Sequence, residues 1–353
     1  MLKYIFTLLV LLLMMPASDV MAGNPDRQGE AGAGQLLMNP WARSSGLHSM
    51  GTSFVTGVDA MRINVAGLAR INKTQINIGH TRYLDGTDIG FNALGLAQRV
   101  GKSGAIGISI MAIDMGDIPV TTEQLPDPVN GGITYSPSYF NMGLSYAHMF
   151  DNKVTVGVTF RFVSENTDRI SGTSAALDAG VQYVTGPQDN FKIGIALRNV
   201  GAPMKFKGEG LNETSGNPNN TFGYDLTYEV RSQQFELPSL VNIGMSYDFI
   251  VNPKNRISVI GNFTANAFSQ DQIGGGVEYA FNKMFVLRGA YKYEFGSTSE
   301  GGNESPIYNG IAAGFSIQVP IKKKSEQRFA IDYAYRDTKL WSGSHSIGIR
   351  FDL

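Results

Sequence analysis

The residues with most capacity for chemistry in this sequence are charged and share one parity. Arg161, Asp178, Arg198, Asp248, Glu278, Arg288, Lys292, Asp332, Arg336 and Arg350 stand between apolar neighbours or glycine, save that Asn199 follows Arg198 and Asp337 follows Arg336. On a segment of period two they occupy one face, while Val, Ile, Phe and Tyr occupy the other. Two roles suit such a set: a conduction path for ions, or a set of ion pairs that stiffens the wall it lines. Mixed signs select poorly among ions and pair well, which favours the second role. Enzymatic chemistry finds less support, because it needs a base beside a nucleophile. Of four histidines, His80, His148 and His345 fall on the apolar parity near the ends of their runs, and His48 lies before the runs begin. No phosphate loop, metal-ligand spacing or nucleophile elbow is present, and there is no cysteine. The expectation is a protein that is not an enzyme and holds no metal or cofactor.

These charges need elements that keep them out of lipid. From Lys73 onward the chain is a series of about fourteen alternating runs, near 73–83, 88–100, 103–115, 138–150, 152–164, 174–184, 189–200, 236–249, 256–267, 271–281, 284–295, 307–320, 327–337 and 344–353. Each is close to the ~9–11 residues of a tilted membrane-spanning strand. The run at 88–100 alternates least clearly and admits an irregular stretch. Arg or Lys on the lipid side would cost about 2–4 kcal/mol at the bilayer midplane, so the charged parity must face the lumen. Many other inward positions are Gly, Ala or Ser, leaving room for a further segment or a ligand. Aromatics such as Tyr146, Phe150, Tyr247, Phe249, Tyr333 and Tyr335 lie on the outward parity near run ends, as an interfacial girdle requires.

The connections alternate in length. Those near 100–103, 151–152, 186–190, 251–255, 282–283 and 322–326 are short, whereas 116–137, 165–173, 201–235, 296–306 and 338–343 are mostly longer. Short turns inside and long loops outside is the outer-membrane pattern, and an even strand number puts both termini in the periplasm. Two loops invite partners. Residues 116–137 carry Ile118, Leu125 and Tyr135 among prolines and acids, and 201–235 carries Phe206, Phe222, Tyr224 and Tyr228. Loops this long are usually functional or disordered.

Composition agrees with a barrel. Only 17% of the 353 residues are charged, the net charge is −1, and 42 are glycine. The near-neutral balance gives no argument for nucleic acid. Residues 1–22 read as a secretory signal peptide, with Lys3 at its start, an apolar core over Tyr4–Met15 and a small-residue site at Val20-Met21-Ala22. Residues 23–71 are glycine-rich without a clean period and are expected to form short helical turns and loop at or in the lumen. Residues 72–353 are the expected outer-membrane barrel. The last run puts Ile347, Ile349, Phe351 and Leu353 on one face and Gly348 and Arg350 on the other. Gly348, Phe351 and Leu353 resemble the terminal assembly signal of outer-membrane barrels. The fold class expected is all-β, a transmembrane antiparallel β-barrel of about 14 strands.

Three N-terminal motifs carry a family resemblance: Pro40-x-Ala42-Arg43-x-x-Gly46, Gly57-x-Asp59-Ala60, and Asn64-x-Ala66-Gly67-Leu68-Ala69. Asp178-x-Gly180-x-x-Tyr183, Asn199-x-Gly201 and Leu237-Pro238 follow in order. The sequence resembles the PorV/PorQ family of Bacteroidota outer-membrane proteins, within the FadL-like barrels, although Val65 stands where the family usually has Pro. The resemblance implies a 14-stranded barrel serving type IX secretion, whose partners are other secretion components and exported proteins with C-terminal signal domains. The FadL-like branch implies an alternative, passage of hydrophobic small molecules through the lumen. A third reading is a structural barrel within a larger membrane complex.

Overall fold

The computed structural model describes residues 27–122, 126, 132–216, 224–296, 307–321 and 327–353. The expected signal peptide, Leu125, Phe222 and most of the 296–306 and 322–326 connections lie outside these residues. Fourteen long strands form the wall. Numbered as barrel strands, they are β1 (Thr74–Arg82), β2 (Gly90–Val100), β3 (Gly104–Asp114), β4 (Ser138–Phe150), β5 (Val154–Thr167), β6 (Ile170–Thr185) and β7 (Phe191–Gly201). The second half is β8 (Leu240–Asn252), β9 (Asn255–Asn266), β10 (Gln272–Phe281), β11 (Phe285–Glu294), β12 (Tyr308–Pro320), β13 (Arg328–Thr338) and β14 (Ser344–Asp352). Every neighbour is antiparallel, and β14 closes the sheet by pairing with β1 as well as β13, for example Ile349 opposite Ile78. Closure leaves no edge with unpaired backbone groups, the condition for crossing lipid in strands.

The alternation reads directly as outside and inside. Val158, Phe160, Leu177, Ile195, Met245 and Leu287 are all exposed on the outer surface, and their sequence neighbours face a filled interior. The run at 88–100 is regular: β2 pairs residue for residue with β3 from Gly90–Asp114 to Val100–Gly104. Tight turns join strands at one end. Asp151 and Asn152 (φ 47° and 57°) and Asn282 and Lys283 (φ 52° and 53°) adopt the left-handed conformations that match strand twist in short hairpins.

The other end departs from expectation in two places. Residues 165–173 are not a loop: β5 runs to Thr167 and β6 starts at Ile170, so the pair continues as a tight hairpin. Residues 201–235 also contain strands. Met204–Lys207 pairs with the start of β6 and with Gln234–Phe235, and Asn212–Gly216 pairs with Asp225–Glu229 as a separate hairpin.

Residues 33–71 fill the lumen. Short helical pieces, Ala42–Ser45, Ala60–Ile63 and the 3-10 turns Gly34–Leu36, Gly57–Asp59 and Val65–Arg70, are linked by loop. Trp41, Val58, Met61 and Leu68 pack with Phe91, Met111 and Ile113 of the wall in the largest buried apolar cluster. The segment has no amphipathic period because the wall surrounds it, so nearly every residue is buried.

Candidate functional site

Inward glycines make the seat for this lumen segment. A Cβ on Gly95 would meet Val58 and Trp41, on Gly107 Met61 and Leu68, and on Gly157 the Val65 backbone. Gly180 faces Asn64, Gly194 and Gly244 face Thr52, Gly274 faces Met50, and Gly314 approaches Gly46 backbone to backbone. The space that small inward residues leave is therefore occupied by the chain's own N-terminal segment.

The motif residues of that segment hold it in place. Asn64 Nδ2 donates to Thr52 O (2.8 Å) and to Val181 O of β6 (3.0 Å), while its Oδ1 accepts from Ala66 N (3.2 Å). Asp59 accepts from Asn77 Nδ2 of β1 (2.9 Å), and Val58 N donates to Gln75 Oε1 (2.6 Å). Burial raises the Asp59 carboxyl above its usual range, and nearby Arg43 opposes that rise. Gly67 packs against Val55 O, Gly46 against Gly314, and Pro40 O against Gly79; at all three glycines a side chain would overlap backbone or force it to move. Ala42 is buried, and Arg43 points towards Glu278, Arg288 and Arg350 of the wall.

The inward charges divide into groups. On one side Arg161 pairs with Asp178 (2.6 Å), donates to Asn141 (3.0 Å), and donates to Met61 O of the lumen segment (2.8 Å). Asp178 also accepts from Asn199 N (2.7 Å), and Arg198 donates to Leu36 O (3.2 Å). On the opposite side Glu278 accepts from Arg288 (2.8 Å) and Arg256 (2.6 Å). Arg288 continues to Ser316 (2.6 Å), Ser316 to Asp332, and Asp332 faces Arg350 at 3.8 Å. Asp248 binds Lys192 (2.7 Å) and Ser258 (2.6 Å) nearby. Arg336 stands apart from both groups, its guanidinium carbon 4.7 Å above the Tyr308 ring.

Arg336 and Tyr308 border a cavity of about 660 Å³ at the long-loop end. Leu37, Met38 and His48 of the lumen segment form one side; Tyr83, Tyr291, Tyr293 and Lys292 contribute to the other. His48 meets Tyr308 edge to face at 5.4 Å. Four buried polar atoms here lack a partner: His48 Nε2, Tyr308 Oη, and Nε and Nη2 of Arg336. A register shift between Tyr308 and Ala312, with Gly310 at φ 89°, places Tyr308 over this space. Sequence reading misses the site, since its residues come from distant positions; the one signal is Gly310 two places after Tyr308. Aromatic walls with three cations, Lys292, Arg336 and Lys339, against one acid, Glu294, suit a hydrophobic molecule with an anionic end.

The remaining sequence candidates lie at the barrel's ends, except Gly348, which is in the middle of β14. Ile118 pairs with Tyr135 in a two-residue ladder at the long-loop end. A Cβ on Gly348 would come within van der Waals contact of Ala42. Phe351 stacks outside against Phe329 (5.2 Å), and Leu353 exchanges two backbone hydrogen bonds with Thr74.

The barrel resembles solved transporters. It matches the toluene transporter TodX of Pseudomonas putida with a TM-score of 0.55 at 12% identity, covering 88% of this chain and 96% of that one. The toluene transporter TbuX of Ralstonia pickettii gives 0.53 at 15%, covering 88% and 97%. A FadL homologue of Pseudomonas aeruginosa gives 0.52 at 12%, covering 88% and 98%. Identities this low show a shared fold. No curated protein matches the sequence. The family model described as type IX secretion system protein PorV matches residues 24–273, which take in the lumen segment and the first nine barrel strands. With the fold and that match together, the chain belongs to the PorV family.

Proposed function

We propose that this chain is a non-enzymatic outer-membrane barrel that binds exported proteins of type IX secretion at its long-loop end, with both termini in the periplasm. The observation that carries the reading is an apolar stripe on the projecting hairpin: Tyr224, Leu226, Tyr228 and Val230 are 57%, 44%, 48% and 41% exposed. Alternate residues along one strand share a face, so the stripe is a single surface suited to aromatic anchoring of a partner. PorV family membership supports a partner from the secretion system. The histidines offer little for catalysis: His80 meets Asn92, His148 meets Tyr146 and His345 meets Tyr333.

The cavity beneath Tyr308 favours a second reading, passage or storage of a hydrophobic compound, which the fold likeness to toluene transporters also supports. One experiment separates the two. Replacing residues 212–229 by a short Gly-Ser turn leaves the barrel intact, because loop length changes closure entropy little. Surface display of exported proteins with C-terminal signal domains should fall sharply, as it should on deleting about ten residues within 118–135. Tyr308→Ala should leave display unchanged. Normal display in both loop variants, with solute uptake lowered by Tyr308→Ala, establishes the transporter reading instead.

A further inference from the structure

A second recess opens at the short-turn end, on the far side of the lumen segment from the Tyr308 cavity, with a volume of about 490 Å³. Its charge is lopsided. Arg43, Arg288 and Arg350 lie deep within it, and five more Arg or Lys side chains line it, including Lys254, Arg256 and Lys283. Only two acidic side chains, Glu278 and Asp352, are among the described residues that line it. Both are already engaged, Glu278 by Arg288 and Arg256, and Asp352 by Gln75 (2.5 Å). Arg350 is 3% exposed, and its Nε and Nη2 lack hydrogen-bond partners; Arg256 Nε lacks one too. The nearest carboxylates stand 3.7 and 3.8 Å from Arg350 Nε, beyond hydrogen-bond length. Arg43 is held below the ordinary guanidinium value, first by burial and then by Arg350.

Asp332 and Asp352 balance the Arg350 charge at ion-pair distance, yet its buried Nε and Nη2 donate to neither; buried donors left without acceptors are costly, and a bound oxyanion supplies those acceptors. Guanidinium forks match the oxygens of phosphate, and the recess has the size of a small-ligand pocket rather than a protein-docking face. We propose that this recess binds a small phosphate-type oxyanion of two or more charges, held jointly by Arg43 of the lumen segment and Arg350 and Arg256 of the wall. Such a ligand fastens the lumen segment to β9 and β14. The inference is independent of the partner reading, because it concerns the opposite end of the barrel.

The test is calorimetric titration of inorganic pyrophosphate into the full chain in neutral detergent. Expected is saturable binding that weakens about tenfold in Arg43→Gln, through loss of one charged fork. It should also weaken in Lys254→Gln/Lys283→Gln, whose turn positions leave the lumen segment untouched. Arg82→Gln, at the long-loop end where Arg82 pairs with Asp85, should bind as wild type does. Adding phosphatidic acid to the micelles distinguishes the sources: competition assigns the site to a lipid headgroup, and unchanged affinity assigns it to a free phosphate compound. Absence of binding at millimolar pyrophosphate, or wild-type affinity in both recess variants, overturns the proposal, as does equal weakening in Arg82→Gln.

Discussion

His48 sits where a proton is hard to accept, between the Tyr308 ring and the cations Lys292 and Arg336. Burial first, then Lys292 and Arg336, holds its pKa well below the ordinary 6.5. When the lumen segment leaves its seat, His48 regains the ordinary value. The seated state then binds fewer protons, so its stability is fully present above pH 6.5 and falls as pH drops towards the seated pKa. Hydrogen exchange of the amides in Ala42–Ser45 should show the opening free energy falling by up to about 1.4 kcal/mol per pH unit below that point. His48→Gln should flatten the dependence, and an equal slope in that variant contradicts the assignment. Arg161 shows the other treatment of buried charge, with Asp178, Asn141 and Met61 O as partners. Sequence parity placed Arg161 and Asp178 inside but not in contact with Met61, since parity gives a face and not what stands opposite it.

At the scale of elements, the wall and the lumen segment were built for each other through glycine. Gly194 of β7 leaves no room for a side chain against Thr52. Gly194→Val should therefore keep the barrel but displace the lumen segment, at about 1–3 kcal/mol as for an overpacked core. Protease should then cut within residues 33–71 in folded, heat-modifiable protein; a protected segment contradicts this account. The closing strand makes a separate prediction. β14 joins β1 to β13, with Phe351 opposite both Ile76 and Phe329. Phe351→Ala with Leu353→Ala should abolish the heat-modifiable form in cells, and normal assembly contradicts a role for these residues in closure. The strands were legible because lipid enforces alternation along each spanning run. Residues 165–173 read as a loop because that hairpin extends where Ser, Thr and Asn meet no such constraint. The lumen segment showed no period because it is enclosed on all sides, and the Tyr308 cavity depends on a bulge that alternation does not reveal.

The whole molecule is a closed tube divided by its own N-terminal segment, with an aromatic cavity on one side and a basic recess on the other. Long connections with their own strands gather at one end and tight turns at the other. That asymmetry, with PorV family membership, supports an outward end that meets partners and an inward end that does not. The most direct test places a photo-crosslinking residue at Tyr228 of the projecting hairpin and, separately, at Asn282 in a tight turn. In living cells, Tyr228 should capture an exported protein through its C-terminal signal domain, and Asn282 should not. Capture at Asn282 with none at Tyr228 would contradict both the orientation and the partner-binding role.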